Sequence, residues 1–233
     1  MSSHKATTAK TGIAIAPTDG TTVDELLANA DLALYQAKSN GGRTRRFFLP
    51  VHRAQVQARR ALDLELTRAY ELEIYFQPEI RLIDGAVVGA ESLLRWRHPE
   101  RGILMPGTFI DTLATNAVAL DVGRWIILTA CQKAASWRAM GLSPGRIGIN
   151  VFPPQFQGDV LLKAIDDALR ETNLPPESIE LEITENSTLN YKGAAETLQK
   201  LHEKRVSIAF DDFGTGYASL SYLTRFPLSK NRS

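Results

Sequence analysis

Cysteine is nearly absent from this sequence. Cys131 stands alone among 233 residues, so no disulfide can close within the chain. That excludes a disulfide-stapled scaffold and fits a reducing compartment, so the expectation is a cytoplasmic protein. Cys131 itself lies in a helical stretch and reads as a small buried hydrophobe. Long apolar runs are missing too. The longest, over 117–131, is broken by Asp121 and Arg124, which argues against a membrane-crossing helix of about 20 residues. The first ten residues are polar and hold no apolar signal core. An excess of charge of one sign is also lacking. The net charge is +1, so composition points neither to a nucleic-acid polymer nor to a membrane surface. Finally, His4, His52, His98 and His202 share no ligand-like spacing and read as surface or loop residues.

What is present fits a globular chain. Hydrophobic residues make up 44% and charged residues 23%, ordinary values that permit a sizeable core. The length fits one large domain, or one domain plus a fragment. Charge is uneven: the first 60 residues hold nine Lys or Arg against four Asp or Glu, the remainder 18 against 22. That asymmetry suggests two segments of different origin.

Residues 11–16 read as a short buried strand, followed by a turn at Pro17–Gly20. Thr22 and Glu25 have the spacing of a capping box. The helix they open shows its apolar face at Leu26, Leu27, Ala30, Leu34 and Ala37, and Asn40-Gly41-Gly42 stops it. So few elements give little core, so this piece is expected to lean on the rest of the chain or to fold loosely. A helix is expected over 51–70. Ile74–Leu82 and Ala86–Leu94 read as a hairpin around Ile83-Asp84-Gly85, His98–Gly107 as a loop, and 108–140 as helix in two pieces. From there strands and helices alternate: strand 146–151, helix 158–172, strand 178–183, helix 193–204, strand 206–210. That alternation predicts a parallel sheet with crossover helices.

The last strand runs into Asp211-Asp212 and a turn with Gly214 and Gly216. Two adjacent carboxylates repel unless solvent or a cation relieves them. The same stretch also reads as a plain solvated turn. Yet other strands end likewise, at Glu91, at Asn150 and at Glu182, with Glu185 just beyond. In a βα barrel the C-terminal ends of the strands line one mouth, so these positions would converge. Carboxylates and an amide make an all-oxygen set, suited to Mg²⁺, Mn²⁺ or Ca²⁺. The Asp211-Asp212 pair could serve two ions, which together can activate a water and clamp a phosphate.

From about residue 63 to 228 the chain resembles the EAL-domain phosphodiesterases that hydrolyse cyclic di-GMP. Five stretches carry the resemblance: Tyr75-Phe76-Gln77-Pro78, Glu91-Ser92-Leu93-Leu94-Arg95-Trp96, Ile149-Asn150-Val151, Glu182-Ile183-Thr184-Glu185 and Asp211-Asp212-Phe213-Gly214-Thr215-Gly216. Residues 11–48 resemble the C-terminal end of a GGDEF diguanylate cyclase domain, through Gly12-Ile13-Ala14, Ala30–Tyr35 and Ala37-Lys38. The signature of that domain is absent, so no cyclase activity is expected from it. The resemblance implies an α/β fold, an incomplete TIM-like barrel with one antiparallel strand, preceded by a small α+β fragment. It divides the chain into a GGDEF remnant over 1–48, a linker helix over 49–62 and the first two-thirds of an EAL domain over 63–233.

The implied cofactor is Mg²⁺ or Mn²⁺ in a two-metal site, held by Glu91, Asn150, Glu182, Asp211 and Asp212. Arg95 and Gln77 would bind cyclic di-GMP. Asp212 and Glu185 would be catalytic, with Glu185 bracing a loop that lies near a homodimer interface in the family. Three departures stand out. Ser92 replaces Ala, Phe152 replaces a small polar residue near the mouth, and the chain stops soon after Pro227. The family's catalytic lysine sits on a further strand, and no strand is expected to hold Lys230, which receives no role. The expectation is therefore a phosphodiesterase impaired or inactive in this form. The alternative is a non-catalytic module that binds cyclic di-GMP or a protein.

Overall fold

The computed structural model describes residues 10–39, 45–66, 71–184, 193–211 and 230–231. The chain forms two compact units that divide between Glu65 and Leu66.

In the N-terminal unit, β1 (Thr11–Ile13) pairs in parallel with β2 (Arg45–Phe47), and α1 (Val23–Ser39) and α2 (Pro50–Leu66) complete it. β1 is shorter than the predicted strand and only partly buried. The chain turns away because Asp19 binds back to Ile15: its N–H donates to the Ile15 carbonyl at 2.7 Å, and its carboxylate accepts the Ile15 N–H at 2.7 Å. The capping box forms as predicted. Glu25 N–H donates to Thr22 Oγ1 at 3.3 Å, and Thr22 N–H donates to Glu25 Oε2 at 3.2 Å. Hydrogen bonds from the Thr21 and Thr22 backbone hold the Glu25 carboxyl below its ordinary range. α2 is tied to α1 by Gln36–Gln55, Asn29–Arg53 and Tyr35–Arg59. Ala33, Ala37, Phe48 and Leu62 are buried. The piece over residues 11–48 thus leans on the following helix, one of the two outcomes expected: α2 adds the apolar face that gives the unit a small core.

The C-terminal unit opens with β3 (Leu72–Ile80) and β4 (Val87–His98), paired antiparallel. Their turn closes with Gly85 N–H to Arg81 O and Arg81 N–H to Ala86 O, both 2.8 Å. Gly85 has φ +70°, a conformation that side chains with a Cβ resist. The predicted loop after His98 contains a further strand, β5 (Gly102–Leu104), antiparallel to β4. There follow α3 (Pro106–Leu113), α4 (Ala119–Ala139), β6 (Arg146–Asn150), α5 (Val160–Thr172), β7 (Ile179–Thr184), α6 (Ala194–Glu203) and β8 (Ser207–Asp211). β4, β6, β7 and β8 are parallel neighbours in that order, with β3 beside β4. Beyond β8 the expectation needs correction. Lys230–Asn231 form β9, parallel to β8, with Lys230 opposite Ala209.

Alternate residues of a strand face opposite sides. One set, Ala90, Leu94, Trp96, Ile147, Ile149, Ile179, Leu181, Ile183, Ile208 and Phe210, is buried. α3, α4 and α6 contact β4, β6 and β8, and Trp96 stacks edge-on against Phe109 of α3 at 5.5 Å between ring centroids. The other set carries the polar groups of the candidate site.

Two histidines also differ from expectation. His52 and His98 are buried. Each accepts local backbone N–H groups through Nδ1: from Leu49 at 3.1 Å for His52, and from Glu100 and Arg101 at 3.1 and 3.2 Å for His98. They stay buried because they satisfy turns.

Cys131 is 1% exposed on α4, and burial pushes its thiol up to about 12. The native chain should therefore resist iodoacetamide at pH 8 and react once denatured. The unfolded thiol ionises near its ordinary value of 9.0 while the folded one stays neutral. This contribution to stability is accordingly whole below pH 9 and lost as pH rises toward 12. Labelling of the native chain as fast as of the denatured chain would contradict this burial.

Candidate functional site

Strand register sets the site in rows. Gln77 pairs with Glu91, Glu91 with Gly148, and Gly148 with Glu180. Two residues further along, Asn150 pairs with Glu182 and Glu182 with Ala209. Two residues beyond that, Thr184 pairs with Asp211. Glu91, Asn150 and Glu182 thus rise from three adjacent parallel strands onto one face.

Their side chains meet. The Asn150 amide donates from Nδ2 to Glu91 Oε1 at 3.2 Å and to Glu182 Oε2 at 3.3 Å. Glu182 is buried, and Glu91 and Asn150 are half-buried. Carboxylates this close in a partly dry site repel, and the amide N–H groups between them lower that cost. Beyond Asn150 the Val151 N–H still donates to the Glu182 carbonyl at 3.0 Å, so the pairing runs past the end of β6.

Two neighbours make the arrangement sterically possible. A Cβ on Gly148 would overlap Glu182 Oε1, so the glycine leaves room for that carboxylate. Ser92, also buried, donates from Oγ to the Gly148 carbonyl at 2.7 Å. The hydroxyl that departs from the family's Ala is therefore satisfied.

Below these groups the charge density rises. Oxygens of Glu79, Glu180 and Glu182 lie within 4.8 Å of one another. Arg146 reaches Glu180 at 3.3 Å, which offsets part of that charge. Above, Arg95 is half-buried. Its guanidinium stands 5.7 Å from the centre of the Tyr75 ring and donates to the Leu94 carbonyl at 2.8 Å. Gln77 is exposed on the row of Glu91.

The structure therefore brings together Glu91, Asn150 and Glu182, with Gln77 on the row of Glu91 and Arg95 four residues further along β4. Asp211 closes β8 opposite Thr184. Asp212 and Glu185, including the loop expected at a dimer interface, lie outside the described residues. The sequence reading passed over Gly148, Glu79, Glu180 and Arg146. A signal existed: a glycine inside a strand, and two glutamates at i and i+2 in an otherwise apolar strand. Chemically, the described residues of this face offer carboxylate and amide oxygens with no sulfur or imidazole, the donor set of a hard divalent cation. A half-turn of the Asn150 amide would present its oxygen where its nitrogen now points.

Residues 56–230 match the EAL domain family, and residues 1–44 match "Diguanylate cyclase, GGDEF domain". The chain is 35% identical over 226 residues to the bifunctional diguanylate cyclase/cyclic di-GMP phosphodiesterase MucR of Pseudomonas aeruginosa, a match that covers 95% of the chain and 33% of that protein. It is 34% identical over 226 residues to the cyclic di-GMP phosphodiesterase PdeR of Escherichia coli, again covering 95% of the chain and 34% of that protein. The chain thus spans about a third of the length of these curated relatives. Among solved structures it is similar to the PaMucR phosphodiesterase in complex with c-di-GMP, with TM-score 0.68 and 32% identity, covering 73% of this chain and 71% of that one.

Two substitutions test the packing of the site. Ser92→Ala should cost about 1 kcal/mol, the scale of one hydrogen bond. Gly148→Ala should cost about 1–3 kcal/mol, because the Glu182 carboxylate must move. Urea denaturation that ranks them in the opposite order would show that Gly148 is not the tighter constraint.

Proposed function

The chain belongs to the EAL-domain family and carries part of a GGDEF domain ahead of it, and on that premise we propose that it hydrolyses cyclic di-GMP to linear pGpG with divalent metal ions. The observation that carries this reading is the Asn150 amide set between the Glu91 and Glu182 carboxylates. A cation in their place satisfies the same oxygens and cancels more charge. The donor set fits Mg²⁺ or Mn²⁺, with Glu91, Asn150, Glu182 and Asp211 as ligands and Asp212 reaching a second ion. Bound metal would polarise a phosphate oxygen and acidify a water.

The chain's own groups would do the rest. Arg95 would pair through its planar guanidinium with one phosphate of the dinucleotide. Tyr75 beneath it limits where that guanidinium can swing. Gln77 would donate to the substrate from the neighbouring strand. Asp212 and Glu185 would act in catalysis, Glu185 by bracing the loop after Asp212, and that loop would form a homodimer contact. Buried Glu180 and half-buried Glu79 behind Glu182 keep the site negative and raise its preference for a divalent cation, with Arg146 limiting the excess. Among the described residues no helix is long and apolar enough to cross a membrane.

Incubation with cyclic di-GMP and Mn²⁺, followed by chromatography, tests the proposal. Linear pGpG is expected with the native chain, against the impaired activity expected from the sequence, because β9 supplies the strand beside β8 that was expected to be missing. Glu182→Gln should slow its formation at least about a hundredfold, the scale of losing one positioned electrostatic group. Product that persists undiminished in that variant would refute the assignment of Glu182. Tight nucleotide binding without turnover would favour a binding module instead.

A further inference from the structure

We propose that Gln155 is a positioning residue of this site, which holds the Asn150 amide in register with Glu91 and Glu182 through the backbone of Phe152. The inference rests on the reading of Asn150 as a metal ligand.

Asn150 is the last residue of β6, and only one ladder bond, at Val151, continues past it. Val151 N–H is held by the Glu182 carbonyl. Phe152 follows with extended backbone, and Pro153–Phe156 form a 3-10 turn. Pro153 and Pro154 have no N–H to offer, so the Phe152 N–H is the last backbone donor before Gln155. It is buried, and Gln155 Oε1 accepts it at 2.8 Å. In return Gln155 N–H donates to the Phe152 carbonyl at 3.0 Å. Phe152 has no side-chain acceptor, so the glutamine alone supplies the side-chain half of a capping box here. The peptides on both sides of Val151 are thereby pinned, one to β7 and one to Gln155.

Gln155 is itself held from behind. It is 1% exposed, and a Cβ on Gly123 of α4 would lie 2.5 Å from its Cδ and 2.7 Å from its Nε2. Its Nε2 is buried with no hydrogen-bond partner among the described residues. A residue that only filled space would leave no such orphan. The orphaned N–H groups come with the acceptor that Phe152 uses. The glutamine therefore acts as an acceptor wedged between α4 and the segment that carries Asn150.

The test uses the full chain and two variants. Gln155→Met keeps length and apolar bulk but removes the acceptor. Gly123→Ala leaves the turn untouched, favours the helix by propensity and crowds the Gln155 amide. Amide hydrogen exchange is read without metal, and Mn²⁺ affinity is read by calorimetry. Both variants should exchange the Phe152 amide at least about tenfold faster and bind Mn²⁺ about tenfold more weakly, as when a group that orients a ligand is lost. Exchange in β7 should stay near wild type, while the metal-free melting temperature should fall by about a few degrees, as for any lost buried hydrogen bond or crowded core. Unchanged exchange at Phe152, or faster exchange with unchanged Mn²⁺ affinity, overturns the role of Gln155. If Gln155→Met fails to fold, Gly123→Ala carries the same expectation and the same refutation. A wild-type chain that shows no Mn²⁺ binding overturns the metal reading first and this inference with it. That failure is seen in the unmutated chain, so it is distinct from a failure of Gln155.

Discussion

The Asn150 amide bridges carboxylates from two other strands, 59 residues before it and 32 residues after it. Much of the C-terminal unit can be understood as what that bridge requires. Carboxylates brought together away from bulk water repel one another, and burial worsens the repulsion. The chain answers with a donor between them, with an arginine behind them, and with a glycine where any side chain would displace one of them. A buried carboxylate left without such partners would shift toward its neutral form and lose its use as a ligand.

The sheet makes the bridge possible. Parallel strands in register bring alternate residues to one face at the spacing of neighbouring strands, about 4.8 Å. On the opposite face the same strands present Ile, Leu, Phe and Trp to the helices. That division lets a strand such as Ile179–Thr184 anchor itself through Ile179, Leu181 and Ile183 while it carries Glu180 and Glu182. Stability thus comes from one face and chemistry from the other. The N-terminal unit follows a different plan, a two-stranded sheet with two helices tied by polar side chains, and contributes none of the residues of the bridge.

Much of this was legible beforehand. Periodicity located the strand–helix alternation after residue 140, and the Asp-Gly signal located the β3–β4 hairpin. Thr22 and Glu25 announced the start of α1. Acids and an amide in the strands pointed to Glu91, Asn150 and Glu182, and the matching motifs named the family; only Asn150 ends its strand, whereas Glu91 lies within β4 and Glu182 within β7 because pairing with neighbouring strands carries both strands further. The failures have local causes. β5 is only Gly102–Leu104, opens on a Gly and follows Pro99 closely, and pairing with β4 rather than propensity makes it a strand. β9 is two residues long and exists through its pairing with β8. His98 lies next to a proline in a polar stretch, yet it is buried because two backbone N–H groups need its Nδ1.

By itself the sequence determined the type of element at most positions, the family, and the oxygen chemistry of the candidate ligands. These are local properties, carried by side-chain period and residue type. Only the tertiary structure decided that Asn150 lies between Glu91 and Glu182, that Gly148 must lack a side chain, that Arg146 meets Glu180, and that Gln155 closes on Phe152 against Gly123. Each of these depends on register between strands or on the seat of a helix against a turn. Register is set when distant segments bury their apolar faces together, and a shift of one residue would turn every side chain of a strand to the other face.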